Sequence, residues 1–298
     1  MRRANVPTPG FGITLHTAIR SDLDQAAEAL DAEQLGYDVV TLHRDALHGD
    51  DPSFENWTLL AWLAAQTSRI SVAPLVLALP HRHPAVLAKM AETLDRLSGG
   101  RLILVLGGGG PMNEPAYRAL GLASRSPDAK VEALAEAIEI LRGLWSTSGF
   151  SYPGKHFGTE GATIEPKPAH AIPIWLGVFG DRMLDLVGRK ADGWLPTYQL
   201  LPPEQAYRKV ERLRKAAEDA GRNPDQLTYG YTIPVLVEKG SVTSRGQIAG
   251  SAQEVARQLA DVVRHGFTFL NLWPLGEAAT QRGLLAREVL PMVRDLLV

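Results

Sequence analysis

The sequence predicts an α/β protein: a single (β/α)8, or TIM, barrel with an inserted loop or lid after the fourth helix. Two observations carry that expectation. Short apolar or β-branched runs alternate eight times with longer amphipathic runs, which is the rhythm of eight parallel strands each followed by a helix. No composition break, charge run or linker interrupts the 298 residues, so 1–298 read as one domain. An open, doubly wound sheet is the rival arrangement of the same alternation.

The elements follow in order. A strand over 11–15 leads to a helix over 21–35, with Ser21 as N-cap and Gly36 as its stop. A strand at 38–43 precedes a helix at 53–67. The apolar run 70–79 is the third strand and 84–97 the third helix. The fourth strand, 102–106, ends in four consecutive glycines, Gly107, Gly108, Gly109 and Gly110. Glycine is used where a backbone turns sharply or lies against something close, so this turn is a candidate ligand contact. The fourth helix, 127–145, places Val131, Leu134, Ile138, Leu141 and Trp145 at helical spacing.

Between it and the next strand lies a Gly- and Pro-rich stretch that carries Phe150, Tyr152 and Phe157. Loops of that length inside a compact domain are usually functional or disordered, and the aromatics favour a packed lid or a small β excursion. The second half continues with strands at 172–178, 194–197, 227–237 and 267–273. Their helices lie at 181–190, 203–220, 251–265 and 277–298, with Gly221 and Gly266 closing two of them.

Composition narrows the function. The 31 basic and 33 acidic residues nearly cancel to a net charge of -2, which gives no footprint for nucleic acid. The absence of cysteine excludes disulfides, thiolate metal sites and a cysteine nucleophile. Arg2 and Arg3 have no apolar run behind them, and no stretch approaches membrane-spanning length. A cytoplasmic protein is the simplest reading.

A barrel carries its site at the C-terminal ends of its strands. That selects His16, the His43-Arg44-Asp45 run, 79–82, 107–113, 177–182 and 197–199. The stretch IPIWLGVFGDRML, 172–184, is a strand, a turn with Gly177 and Gly180, and a helix start. Free N–H groups there suit an anion, although the run is not the G-x-G-x-x-G fingerprint. His81 and His83 lack the carboxylate partners of a metal site, so no metal is expected. His43, Arg44, Asp45 and His48 suit polar contacts or proton transfer, or form a surface ion-pair cluster. No G-x-S-x-G elbow is present.

Three segments together resemble the luciferase-like monooxygenase superfamily. HPAVLAKMAETLDRLSGGRLILVLGGG matches its helix-to-strand-four unit, PIWLGVFGDRMLDLVGRKADGWLPT its strand-five to strand-six unit, and WLAAQTSRISVAPLVL its approach to strand three. The likeness runs from Gly12 to about Thr197. It implies a barrel that holds the deazaflavin F420, or alternatively FMN, at the strand ends. In the F420 branch a bulge in strand three lies behind the ring; here it corresponds to Pro74 to Leu77, with Pro74, Leu75 and Leu77 as the cofactor contacts. The asparagine after the glycines that contacts the cofactor corresponds to Asn113, beside Gly107 and Gly108. The phosphate-contacting turn corresponds to Gly177, Phe179, Gly180, Arg182 and Met183.

There are departures. The Asp-His pair of the F420-dependent sugar-phosphate dehydrogenases is replaced by Arg44 and Asp45, and their acidic residue in the glycine turn by Gly110. That specific activity is not expected. His43 and Asp45 are then the first candidates for proton handling. The reading is an F420-dependent oxidoreductase that transfers a hydride to or from a small organic substrate. An FMN-dependent monooxygenase and a non-catalytic F420- or flavin-binding protein are the alternatives, and a homodimer is compatible with each. Arg44, Arg82, Lys155 and Arg182 could flank a polyanionic cofactor tail. Phe179, Trp194, Tyr198 and Trp273 suggest an apolar pocket, although Trp194 could equally be core.

Overall fold

The computed structural model describes residues 9–20, 24–43 and 52–298. The first half runs β1 (Gly10–Leu15), α1 (Gln25–Gln34), β2 (Val39–His43), α2 (Asn56–Gln66), β3 (Ser71–Leu75), β4 (Leu77–Ala78), α3 (Pro84–Ser98), β5 (Leu104–Gly107), α4 (Glu114–Ala119) and α5 (Pro127–Ser146). A hairpin, β6 (Phe150–Pro153) and β7 (Gly158–Ala162), separates it from β8 (Ile174–Leu176) and α6 (Asp181–Lys190). Then come β9 (Gly193–Trp194), α7 (Pro203–Asp219), β10 (Thr228–Val237), β11 (Ile248–Gly250), α8 (Ala252–Arg264), β12 (Phe269–Pro274), α9 (Ala278–Leu284) and α10 (Leu290–Leu297).

The large sheet is ordered β3-β2-β1-β12-β10-β9-β8-β5-β4. Because β3 and β4 are consecutive pieces of one strand, the two ends of that order meet and the sheet curls into a barrel. A parallel bridge between Val72 and Leu102 helps close the seam. The strands pair in parallel throughout, as helical crossovers require. The rival open sheet is thereby excluded.

Helix ends follow local chemistry. Ser126 caps α5, and Ser251 with Glu254 forms a reciprocal capping box on α8. At the start of α1 the cap is Asp24, whose carboxylate accepts from Ala26 and Ala27 N–H; the expected cap, Ser21, lies outside the described residues. The strand expected over 70–79 is broken between Leu75 and Leu77, where the resemblance implies a bulge. Three elements differ from expectation. The last helix is interrupted by a wide π turn at Leu285–Val289, just ahead of Pro291, which has no N–H to continue a regular ladder. Helix α4 and strand β11, which extends β10 in parallel, were not foreseen.

The inserted segment is a β excursion. Phe150 packs on Gly143 of α5. At the tip, the N–H groups of Lys155, His156 and Phe157 each donate to the Glu136 carboxylate at 2.8 Å. The Phe157 ring meets His83, the N-cap of α3, at 5.4 Å and the Arg125 guanidinium at 4.9 Å. The hairpin therefore lies along α5, with its tip beside the start of α3. No helix among the described residues is long and apolar enough to cross a membrane.

Most of the apolar core lies between the strands and the surrounding helices. A second, smaller cluster sits inside the barrel: Val39, Ala73, Val105, Trp175, Leu195 and Phe269. Above it, a polar layer joins four neighbouring strands, β2, β1, β12 and β10. Asn271 Nδ2 donates to Thr14 and Thr232 hydroxyls at 2.9 and 3.2 Å, and Thr41 donates to Asn271 Oδ1 at 3.1 Å.

Candidate active site at the barrel mouth

Strand side chains alternate, so residues two apart share a face. Continuing the interior face upward from the polar layer leads to the mouth. Thr14 is followed by His16, Thr41 by His43, and Asn271 by Trp273. Their rings come together: His43 lies 4.1 Å from Trp273 at a 39° tilt, and His16 approaches the same indole edge-on at 6.3 Å. His43 thus faces the barrel axis and not the helix layer. Beside it, His16, Thr17, Ile19, Arg20, His43 and Ser53 line a pocket of about 300 Å³.

The third wall is the broken strand. The Leu75–Val76 peptide is cis, and at this bulge two successive side chains, Leu75 and Val76, both pack with the interior cluster. A Cβ on Gly107 would stand 2.6 Å from Val76 Cγ2, and one on Gly177 would stand 2.6 Å from Val76 Cγ1. The glycine that ends β5 and the one just after β8 therefore make room for the bulge. Glycine at 109 has another role: its φ is +84°, and a Cβ there would strike the Tyr117 hydroxyl. Asn113 Nδ2 donates to that hydroxyl at 3.2 Å, which holds the asparagine at the start of α4.

The fifth strand opens into the turn 177–180. Gly180 is the N-cap of α6 and makes no side-chain cap bond. A Cβ built there would meet nothing within 4 Å. The first amides of α6 consequently face open space, the arrangement that favours an anion. Trp194 is fully buried, and its indole N–H donates to Val178 O at 2.9 Å, which anchors the turn from below. Trp194 is core. Asp181 would repel an anion, but Lys209 takes its carboxylate at 2.6 Å and holds it below the usual carboxylate range.

The remaining expected residues fall as follows. Pro74 pairs in register with Leu42 of the helix-facing core, and Leu77 belongs to that same core; their side chains face the helices. Phe179 and Met183 pack at the edge of that core, and Gly108 lies against Met183. Arg182 is paired with Asp128 on α5. Asp45 and Arg44 lie outside the described residues. The expected basic exit is not a set of free cations: Arg82 pairs with Glu55 at 2.5 Å and Lys155 with Glu132 at 2.8 Å. Tyr198 is buried against Tyr231.

Val76 lies inside the bulge expected over 74–77 but was not singled out, because nothing in a run of apolar residues announces which one a bulge turns inward; the role of Tyr117, on a helix not foreseen, was missed. The mouth has room and donors for a tricyclic cofactor with a phosphate. Val76 and Leu75 form an apolar wall, Gly110 borders open space, and the first amides of α6 face open space at Gly180.

The luciferase-like monooxygenase family model matches residues 10–241. The chain belongs to this family. A phthiodiolone/phenolphthiodiolone dimycocerosates ketoreductase of Mycobacterium tuberculosis is 34% identical over 202 residues, covering 66% of this chain and 50% of the ketoreductase. An F420-dependent glucose-6-phosphate dehydrogenase of Nakamurella multipartita is 32% identical over 206 residues, covering 67% of this chain and 59% of the dehydrogenase. The match thus spans little more than half the length of these relatives. Among solved structures, an F420-dependent secondary alcohol dehydrogenase superposes with a TM-score of 0.85 at 17% identity, covering 97% of this chain and 100% of that one. The F420-dependent tetrahydromethanopterin reductase of Methanopyrus kandleri gives 0.80 at 19% identity, with 96% and 99% covered. These likenesses bear on the fold, and both neighbours share the luciferase-like barrel.

Proposed function

We propose that residues 1–298 form one barrel domain that holds F420 at its mouth and serves hydride transfer to or from a small organic substrate. The observation that carries this is the mouth itself: an inward bulge at Leu75–Val76, seated between Gly107 and Gly177, stands beside His43, whose ring is tilted against Trp273. The uncapped start of α6 lies beside it. F420, when bound, supplies a two-electron hydride carrier. Val76 and Leu75 would support its ring from behind, and the amides at 180–182 would hold its phosphate, with Arg182 alongside. Asn113, fixed by Tyr117, would contact the ring edge. His43 is placed to hold or deliver a proton, with Asp45 the second candidate. The relatives named as a ketoreductase and dehydrogenases favour a carbonyl/alcohol couple as the substrate chemistry.

The test is separate titration of F420 and FMN, followed by anaerobic reoxidation of each reduced cofactor with added ketones. F420 binding is expected. Gly180→Val should weaken it at least about tenfold, since the added side chain enters the space before the α6 amides. It should leave the fold intact because the Cβ position has no heavy atom within 4 Å. Tight FMN binding with no F420 affinity and oxygen-dependent product would overturn this reading in favour of a flavin monooxygenase. F420 bound with no turnover on any carbonyl or alcohol would leave a cofactor-binding protein.

A further inference from the structure

Two side-chain polar atoms on the interior face at the mouth are buried and have no hydrogen-bond partner among the described residues: Trp273 Nε1 and Thr197 Oγ1. Buried donors and acceptors in folded proteins are almost always satisfied, so each exception needs a reason. The register places both residues on the interior face of the barrel, and the Trp273 ring lies against His43 of the pocket wall. Thr197 bridges to Thr232, and Thr232 pairs with Asn271. Trp273 stands one interior position above Asn271 and pairs with Pro234, which has no N–H and no polar side chain to offer.

The indole is also held still. His43 packs on its face, His16 on its edge, and Asn271 ties β12 to three neighbouring hydroxyls below. An indole N–H can only donate, and it does not ionise in the working range of a protein. Such a group does not take part in proton transfer; it orients an oxygen. We propose that Trp273 Nε1 donates a hydrogen bond to the oxygen of a carbonyl- or hydroxyl-bearing substrate, placing the carbon that carries it before His43 and the bulge. This assignment rests on the reading of the mouth as the substrate site.

The test uses the six indole N–H signals expected from the six tryptophans in a ¹H–¹⁵N spectrum. The Trp273 signal is assigned by its loss in Trp273→Phe, with Trp273→Tyr as a second route should the first fail to fold. The probes are cyclohexanone and methylenecyclohexane, which share a shape but differ in the oxygen. Cyclohexanone should move the Trp273 signal saturably, and methylenecyclohexane should not. Trp273→Phe should weaken cyclohexanone binding about tenfold with F420 affinity unchanged. Equal effects of the two probes, or no response of the Trp273 signal to the ketone, would overturn the proposal. So would a Trp273→Phe variant that loses F420 affinity but not ketone affinity, since the N–H would then serve the cofactor. The ketone shift is read without cofactor, so failure of F420 to bind the native protein would count against the function above and not against this assignment.

Discussion

Val76 places two methyl groups between strands that have no side chain at the facing positions. Adding a Cβ at Gly107 brings it to 2.6 Å of Val76 Cγ2, whereas Val76 Cβ itself is 3.8 Å away. Overpacking of this kind costs about 1–3 kcal/mol. Gly107→Ala should therefore lower the urea midpoint, and Val76→Ala in that background should recover most of the loss. The two substitutions should be strongly non-additive in a double-mutant cycle; simple additivity would mean that the bulge and the glycine are not packed as described. The same crowding recurs at Gly177 on the opposite side of the valine, so the bulge depends on both glycines.

Carboxylates that gather backbone N–H groups join one element to the next. Glu33 at the end of α1 accepts from the N–H groups of Ser68, Arg69 and Ile70 at 2.6–2.9 Å, just ahead of β3. Burial opposes its ionisation, but these donors and the Ser68 hydroxyl prevail and hold the carboxyl at about 2. A carboxyl depressed in the folded state adds stability above its ordinary value of 4.5, and that contribution disappears as the pH falls toward about 2. Glu33→Gln should cost about 2–3 kcal/mol at neutral pH. Urea midpoints of the two proteins should converge between pH 4.5 and 2; a constant gap would refute the link. Glu136 does the same for the hairpin, since burial is again outweighed by the N–H groups of Phe157, His156 and Lys155. In Glu136→Gln, the amides of 155–157 should exchange hydrogen at least tenfold faster (about 1.4 kcal/mol), with amides of the barrel strands unchanged.

At the scale of the whole molecule, the polar layer of Thr14, Thr41, Thr232 and Asn271 ties together β1, β2, β10 and β12, whose members lie as many as 257 residues apart. Asn271→Leu keeps a similar volume but removes three hydrogen bonds from the layer. Thr41 and Thr14 keep their mutual bond at 3.1 Å, whereas the buried Thr232 hydroxyl loses its partner in the layer, and an unsatisfied group costs about 1–3 kcal/mol. A loss of about 3 kcal/mol in urea unfolding is expected. A neutral result would show that the layer is wet or rearranges freely.

The eightfold alternation, the glycine stops and the Gly177–Gly180 turn were all legible in the chain, because each reflects local chemistry acting over a few residues. Strand and helix periods reveal that a face exists; they do not say which neighbour covers it. That Leu75 and Val76 both turn inward, that His43 meets Trp273 rather than a helix, and that Arg82, Lys155 and Arg182 are already paired depend on partners brought close by barrel closure. The run 70–79 looks like one strand in its pattern, because bulges leave no mark in an apolar sequence; the bulge over 74–77 was legible through the family resemblance alone. Four glycines announce a need for space, but the Val76 methyls that claim it beside Gly107 become apparent when β3 and β5 meet across the seam. Backbone preference is written along the chain; contact between distant residues depends on closing the sheet.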